Sequence, residues 1–332
     1  MLEPREYSKR LGVLTHAQLQ AALARFELGE LLAAEPAPSG LFGQNVMLTA
    51  STGEYVLRGA PWPAWQLRLE CAAAERIHTR SSVPAPWPYR IEEATDLFGW
   101  SYALMPRLPG TCLTDHDALA ALGAADRLGV ARALGEALAE LHHPACDAIA
   151  SFDPASGRFV PLGISHGDAF RGYARDWLAR CRAASRATTE ADAAWVESLI
   201  EDAAAALAVP FAPALLHTDF KENNVVLQRD AAGRWRVTGV FDLMGCCIAD
   251  GEYDLARFFS AHVVARPELA REFLAAYARA RGLRAGFAER FRLYLVTDRL
   301  ILWEYAQRNR VWFPRGLGFR EWAEPGVVGS WA

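Results

Sequence analysis

Between Leu215 and Ala256 the chain sets a dense group of ionisable and amide side chains between apolar runs. Asp219 follows the run Ala214-Leu215-Leu216, Asn224 comes five residues later, and Val225-Val226-Leu227 resumes an extended pattern. Short apolar runs bounded by polar residues read as buried strands, so both side chains are expected at one edge of a sheet. Asp242 ends a second apolar run, Val237 to Phe241, and the intervening stretch from Gln228 to Arg236 contains Asp230 and Gly233, which suit a hairpin loop. The chain then doubles back and brings Asp242 beside Asn224. A carboxylate and an amide oxygen meeting there make a hard-oxygen site suited to Mg²⁺.

The octet His217-Thr218-Asp219-Phe220-Lys221-Glu222-Asn223-Asn224 resembles the H-x-D-x-K-x-x-N catalytic loop of the protein-kinase-like fold, and Asp242 stands where that fold puts its second metal-binding carboxylate. Val240-Phe241-Asp242 and Gly251-Glu252-Tyr253-Asp254-Leu255-Ala256 look more like the aminoglycoside phosphotransferase family than like protein kinases. The resemblance covers roughly residues 30 to 305. It implies ATP- and Mg²⁺-dependent transfer of a phosphoryl group to a hydroxyl of a small molecule. Such a transfer needs an acceptor held in line with the γ-phosphate and little covalent help, so an orienting, proton-accepting carboxylate suffices. That role is assigned to Asp219. Asn224 and Asp242 would hold Mg²⁺, and Lys221 would place a point charge near the transferring group. Lys221 and Lys9 are the only lysines among 35 basic residues, which favours a local reason for Lys at position 221. His217 is expected to support the loop by hydrogen bonds.

These residues need a scaffold on the N-terminal side. Thr15 can cap a helix through about Phe26, with Leu19, Ala22, Leu23 and Phe26 on one face. Gly40 and Gly43 flank a turn between extended stretches and leave backbone N–H groups free to approach phosphate. Arg58 ends the strand that follows, where the kinase-like fold normally carries a lysine on the α/β-phosphates; an Arg can clamp phosphate through its fork. In the helix expected from Leu67 to His78, Glu70 falls where the family places the carboxylate that pairs with this cation, with Glu75 as the competing candidate. Pro84, Pro86 and Pro88 mark a rigid connector ahead of strands near Tyr89 to Ile91 and Trp100 to Met105. Met105 to Gly110 then resembles the hinge between lobes, with the Pro106 carbonyl and the Leu108 N–H offered to an adenine ring and Gly110 turning the chain.

On the C-terminal side, Asp117 to His142 reads as one helix with a Leu134, Leu138 and Leu141 core stripe. Ser165-His166-Gly167-Asp168 repeats the first residues of the loop motif, but Tyr173 occupies the position five beyond Asp168 and no apolar strand follows. Asp168 is therefore read as a helix-start or substrate-edge residue. Asp254 is expected to cap a helix through Phe259. Asp298 and Glu304, on a helix from Phe287 to about Arg308, are candidates for contact with an amine-bearing acceptor, although six residues of separation place them about 240° apart. The stretch from Trp312 to Ala332 carries no motif.

The predicted fold is α+β, a two-lobed protein kinase-like architecture with a sheet-rich nucleotide-binding lobe at 1–108 and a mainly helical catalytic and acceptor-binding lobe at 109–332. With 52% hydrophobic residues and a net charge of −4 spread without a basic stripe, the chain suits a globular protein and argues against nucleic acid as partner. No apolar run reaches membrane-span length, and the N-terminus lacks a signal-peptide pattern. The six cysteines are expected as reduced thiols in a cytoplasmic protein, Cys246 and Cys247 as buried small apolar residues. The acceptor is left as an aminoglycoside-type antibiotic or a small metabolite, and the oligomeric state is unassigned. Two rivals are a catalytically silent nucleotide-binding module and a hydrolase metal site built on His166, Asp168, His217 and Asp219; Lys221 and Asn224 speak against the second.

Overall fold

The computed structural model describes residues 14–37, 44–59, 63–113, 116–143, 145–311 and 316–327. Helix α1, His16–Arg25, opens with the expected Thr15 cap, reinforced by the Gln18 side chain in a reciprocal capping box. Strands β1 (Leu31–Pro36), β2 (Gln44–Ala50) and β3 (Gly53–Gly59) follow, then helix α2 (Gln66–Arg80), β4 (Arg90–Glu92) and β5 (Tyr102–Pro106). They form one antiparallel sheet in the order β1-β2-β3-β5-β4. Gly40 and Gly43 lie outside the described residues.

Strand β5 is buried along Tyr102 to Met105, and alternation explains how. Tyr102 and Leu104 pack with Leu19, Leu23, Leu48 and Leu57 under α1, while Ala103 and Met105 pack with Leu69, Ala73 and Ile77 of α2. Apolar area removed from water on both faces, at about 25 cal/mol per Å², holds this strand central and fixes α2 against the sheet. That contact sets the position of Glu70.

The chain crosses to the second lobe at Gly110, whose φ of 131° only glycine adopts without strain, and where an added Cβ would meet the Leu227 carbonyl at 2.8 Å. Thr111 and Leu227 then exchange two backbone hydrogen bonds of 2.9 Å, tying the crossing to the loop that carries Asn224. The single helix expected over 117–142 is two, α3 (His116–Ala121) and α4 (Ala124–Leu141), broken at Leu122-Gly123 where the periodic pattern hid the glycine.

The remaining elements are β6 (Ala150–Asp153), β7 (Arg158–Pro161), α5 (His166–Ala184), α6 (Glu190–Asp202), α7 (Ala204–Leu207), β8 (Ala214–Leu216), β9 (Val225–Arg229), β10 (Trp235–Val240), β11 (Cys247–Ala249), α8 (Leu255–His262), α9 (Pro267–Arg281), α10 (Phe287–Asn309) and α11 (Phe319–Val327). Strands β9 and β10 make the predicted hairpin, and β7-β6-β11-β8 make a second small sheet. Helix α10 is buried nearly all round, including Arg290, Asp298 and Arg299, and forms the axis of this lobe. The final stretch, featureless as sequence, supplies α11, whose Phe319 and Trp322 rings lie against Trp303. The molecule is thus α+β with a sheet-rich and a mainly helical lobe. Among the described residues no helix is long and apolar enough to cross a membrane.

Candidate active site

The loop after β8 is held from below by Asp254. Its carboxylate accepts the His217 and Thr218 backbone N–H groups, both at 2.6 Å, and lies 3.1 Å from His142 Nε2, with Asp254 almost wholly buried. Asp254 makes no side-chain cap on α8, so the capping role expected of it is corrected: its oxygens are spent on the loop instead. Thr218 takes φ of 67°, an uncommon conformation for a β-branched residue. Its hydroxyl donates to the Gly245 carbonyl at 3.1 Å, and a Cβ on Gly245 would meet that oxygen at 2.1 Å, so only glycine fits there. His217 supports the loop: Nε2 lies 2.8 Å from the Phe241 carbonyl and Nδ1 accepts the Asp219 N–H at 3.4 Å, a pattern that puts the proton on Nε2.

Asp219 emerges from this support into a cluster. Lys221 Nζ donates to Oδ1 at 3.0 Å and Oδ2 at 2.8 Å, Asn224 Nδ2 donates to Oδ2 at 2.8 Å, and Arg257 Nε lies 2.9 Å from Oδ1. Burial pushes the Asp219 carboxyl up, but the charges of Arg257 and Lys221 outweigh it and hold the group below the usual carboxylate range. Asn224 Nδ2 also donates to the Asp219 carbonyl at 2.8 Å, so the amide is fixed and its Oδ1 is left without a hydrogen bond among the described residues.

A second cluster joins the lobes. Arg58 Nη2 donates to Glu70 Oε1 at 2.8 Å and to Asp242 Oδ1 at 2.9 Å, and its Nε lies 2.6 Å from Glu70 Oε2. Glu70 is fixed further by Gln66 at 2.6 Å and by the Tyr89 hydroxyl at 2.7 Å. Burial disfavours the Arg58 charge, yet Glu70 and Asp242 hold it firmly protonated. Glu70, not Glu75, is the partner. Asp242 sits at φ of 62°, a left-handed position for a non-glycine residue, with Oδ2 free of protein hydrogen bonds among the described residues.

At the crossing, Arg107 N–H bonds to the Glu54 carbonyl at 3.0 Å. In an antiparallel ladder the backbone groups alternate in direction, so the Pro106 carbonyl and, two residues on, the Leu108 N–H face away from β3. The last β4–β5 pair is Arg90 with Leu104, so both groups lie beyond the end of β4. The Leu108 side chain itself lies against Gly239 of β10.

Other expected positions fall elsewhere. Ser165 caps α5, and Asp168 accepts from Ser165 Oγ at 2.7 Å and from Arg171 at 2.6 Å, beside a cavity of about 450 Å³. Glu304 pairs with Arg308 at 2.8 Å, and Asp298, buried, accepts from Ser260 and lies 3.1 Å from Arg257. Burial pushes the Cys246 thiol well up and that of Cys247 to about 12, where neither is a ready nucleophile. Among the described residues no three His, Cys, Asp or Glu side chains gather into a metal cage, as the hydrolase reading requires.

Three residues escaped sequence reasoning. Arg257 joins Asp219 to Asp298, and the only signal was a lone cation in the apolar run Leu255 to Phe259. Arg290, fully buried, donates to Glu252 at 2.6 Å and 3.0 Å, and Arg284 bonds to the adjacent Asp250. Nothing in the spacing marked these charges as internal partners of the motif's acidic residues.

The sequence model described as the phosphotransferase enzyme family matches residues 33–290. Curated protein sequences give no match. Among solved structures, the ternary complex of a thermostable aminoglycoside phosphotransferase APH(4)-Ia variant with ADP and hygromycin B is 15% identical, with a TM-score of 0.62 over 88% of this chain and 92% of that one. A candidate aminoglycoside phosphotransferase from Ralstonia eutropha is 17% identical, with a TM-score of 0.61 over 90% of each chain. The GDP and kanamycin complex of APH(2")-IIIa is 15% identical, with a TM-score of 0.61 over 94% of this chain and 96% of that one. At such identities the structures speak for the fold, which is the two-lobed kinase-like one, and the sequence model speaks for the family: the chain belongs to the phosphotransferase enzyme family.

Proposed function

We propose that the protein transfers the γ-phosphoryl group of ATP, in the presence of Mg²⁺, to a hydroxyl of a small molecule. The observation that carries this reading is the meeting of two clusters at the lobe junction: Asp219 with Lys221 and Asn224, and Arg58 with Glu70 and Asp242. Asp219 would orient the acceptor hydroxyl and take its proton, and Lys221 would meet charge developing on the transferred group. Arg58 would clamp the α/β-phosphates, with the Pro106 carbonyl and Leu108 N–H on the base and the glycines at 40 and 43 over the phosphates. The free Asn224 Oδ1 and Asp242 Oδ2 are hard oxygen donors and fit Mg²⁺, which prefers one or two protein ligands plus phosphate oxygens. Bound there, the ion would neutralise phosphate charge. Residues 1–108 would form the nucleotide-binding lobe and 109–332 the catalytic and acceptor lobe. Thiols left free at Cys71, Cys112, Cys181, Cys246 and Cys247 suit a reducing compartment such as the cytoplasm.

The test is nucleoside diphosphate formation from ATP or GTP across a panel of hydroxyl acceptors with Mg²⁺ supplied. Asp242→Ala is expected to weaken Mg²⁺-dependent nucleotide binding more than metal-free binding; equal losses in a titration would make Asp242 a structural residue. Arg58→Ala should raise KM for ATP by roughly tenfold, about 1.4 kcal/mol. Because Arg58 and Glu70 share one site, Glu70→Ala should cost less in the Arg58→Ala background than alone. Strictly additive losses, or an unchanged KM, would move the phosphate clamp elsewhere.

A further inference from the structure

The small sheet presents a graded face toward the proposed base. Antiparallel pairing sets Cys247 opposite Leu216, and Ile248 opposite Ala150, which places Ser151 across from Cys247; Ser151 in turn faces Val160. Side chains at paired positions share one face of a sheet. Along this row Leu216 is buried, Cys247 half-buried, Ser151 exposed and Val160 41% exposed. Leu162, two residues further and 42% exposed, continues the ladder through its N–H on the Ile149 carbonyl at 3.1 Å. The inner end of the row meets α5. Tyr173 is 40% exposed, lies within electrostatic reach of both Cys247 and Arg257, and has its ring 6.4 Å from Tyr253 and 6.2 Å from Trp177. Arg257 is the residue 2.9 Å from Asp219. An apolar shelf with an aromatic wall therefore ends one residue from the base. Isolated exposed apolar side chains need no explanation, but Val160 and Leu162 share the face that runs through Ser151 and Cys247 to the Tyr173 wall.

Charge points the same way. A polycationic acceptor needs carboxylates left over for its amines. Here Asp298 faces Arg257, Glu222 faces His262 at 3.3 Å, Asp168 faces Arg171, Asp176 faces Arg180 at 2.9 Å, and Glu304 faces Arg308. Binding several ammonium groups would mean breaking these pairs, whereas an apolar body on the shelf leaves them intact.

We propose that the acceptor is a neutral or weakly charged alcohol with an apolar, aromatic-sized body, laid along Val160, Leu162 and Cys247 with its hydroxyl directed past Tyr173 to Asp219. This rests on the phosphotransfer reading and narrows its substrate class. Ligand-detected NMR on the full chain with Mg²⁺ and AMP-PNP, using benzyl alcohol, 4-biphenylmethanol and kanamycin as probes, tests it. The biphenyl alcohol is expected to bind about tenfold more tightly than benzyl alcohol, since a second ring adds apolar area to bury, and kanamycin should not displace it. Tyr173→Ala and Leu162→Asp, at positions 40% and 42% exposed, should each weaken the biphenyl alcohol at least fivefold with an unchanged urea unfolding midpoint, while Tyr173→Phe keeps its affinity. Displacement by kanamycin, equal affinity for the two alcohols, or unaltered affinity in both weakened variants would overturn the proposal. The phosphotransfer reading is judged apart from this, by whether diphosphate formation depends on Asp219.

Discussion

Asp219→Asn is expected to lower kcat by on the order of 10²-fold or more while leaving nucleotide KM within about threefold. The amide keeps the shape and can still receive a hydrogen bond from Lys221 or Asn224, so the loop stays in place. On the proposed mechanism, what disappears is the proton acceptor and the negative charge that aligns the hydroxyl. The pH dependence follows from the same geometry. Burial raises the Asp219 carboxyl, Arg257 and Lys221 more than offset it, and the group ionises below the ordinary carboxylate range. If Asp219 is the base, as proposed, the active form is the ionised one, so activity is full above this lowered pKa and falls as pH drops through it. The acid limb of kcat/KM should therefore lie below the ordinary aspartate range. Full turnover in Asp219→Asn would remove the residue from the mechanism, and an acid limb centred near pH 6 would assign the titrating group elsewhere.

Much of this arrangement could be read before any coordinates, because the informative residues are close in sequence. Asp219, Lys221 and Asn224 lie within six positions, and the β9–β10 hairpin that returns Asp242 to them is announced by Asp230 and Gly233. Strand and helix periods likewise marked β3, α2 and α10 to within a few residues. The Arg58–Glu70 pair is harder, since twelve residues and a change from strand to helix separate them, and only the family resemblance suggested it. Contacts with no local signature stayed hidden. Arg257 reaches Asp219 across 38 positions, and Arg290 reaches Glu252 across another 38, because buried charges are chosen by tertiary packing and not by any period. The error at Asp254 has the same root. An acidic residue before a helix usually caps it, but here two loop N–H groups compete for the carboxylate and win.

Two arginines each bridge two carboxylates, and together they organise the cleft. Arg58 links Glu70 of the sheet-rich lobe to Asp242 of the helical lobe, so a change in lobe spacing must alter that geometry. Arg257 links Asp219 to Asp298 within the helical lobe, and tethers Asp219 to the buried axis helix α10. A guanidinium suits both tasks because its planar fork holds two oxygens at once, where an ammonium would act as a point charge. The scarcity of lysine then has a local reading: Lys221, which faces one carboxylate only, needs no fork.

Asp254→Ala should be the most damaging change outside the reacting groups. The carboxylate is 1% exposed and receives the N–H groups of His217 and Thr218 at 2.6 Å each. Removing it leaves two donors in the interior with no acceptor, and each unsatisfied group costs about 1–3 kcal/mol. Thr218 carries the effect into the geometry, because its left-handed backbone is strained by about 1–3 kcal/mol and persists only where neighbours hold it, so that its release offsets part of the lost stability. Freed of Asp254, Thr218 can relax to negative φ, which swings Asp219 away from Lys221 and Asn224. The expected outcome is a loss of about 2–5 kcal/mol in equilibrium urea unfolding, together with a fall in kcat much larger than any change in nucleotide affinity. Asp254→Asn keeps one acceptor oxygen and should lie between wild type and alanine in both measurements. If Asp254→Ala unfolds at the wild-type urea midpoint, or if it keeps wild-type kcat while destabilised, then the loop is held by its own turn and by Thr218 Oγ1 on Gly245, and Asp254 is a packing residue without a share in placing the base.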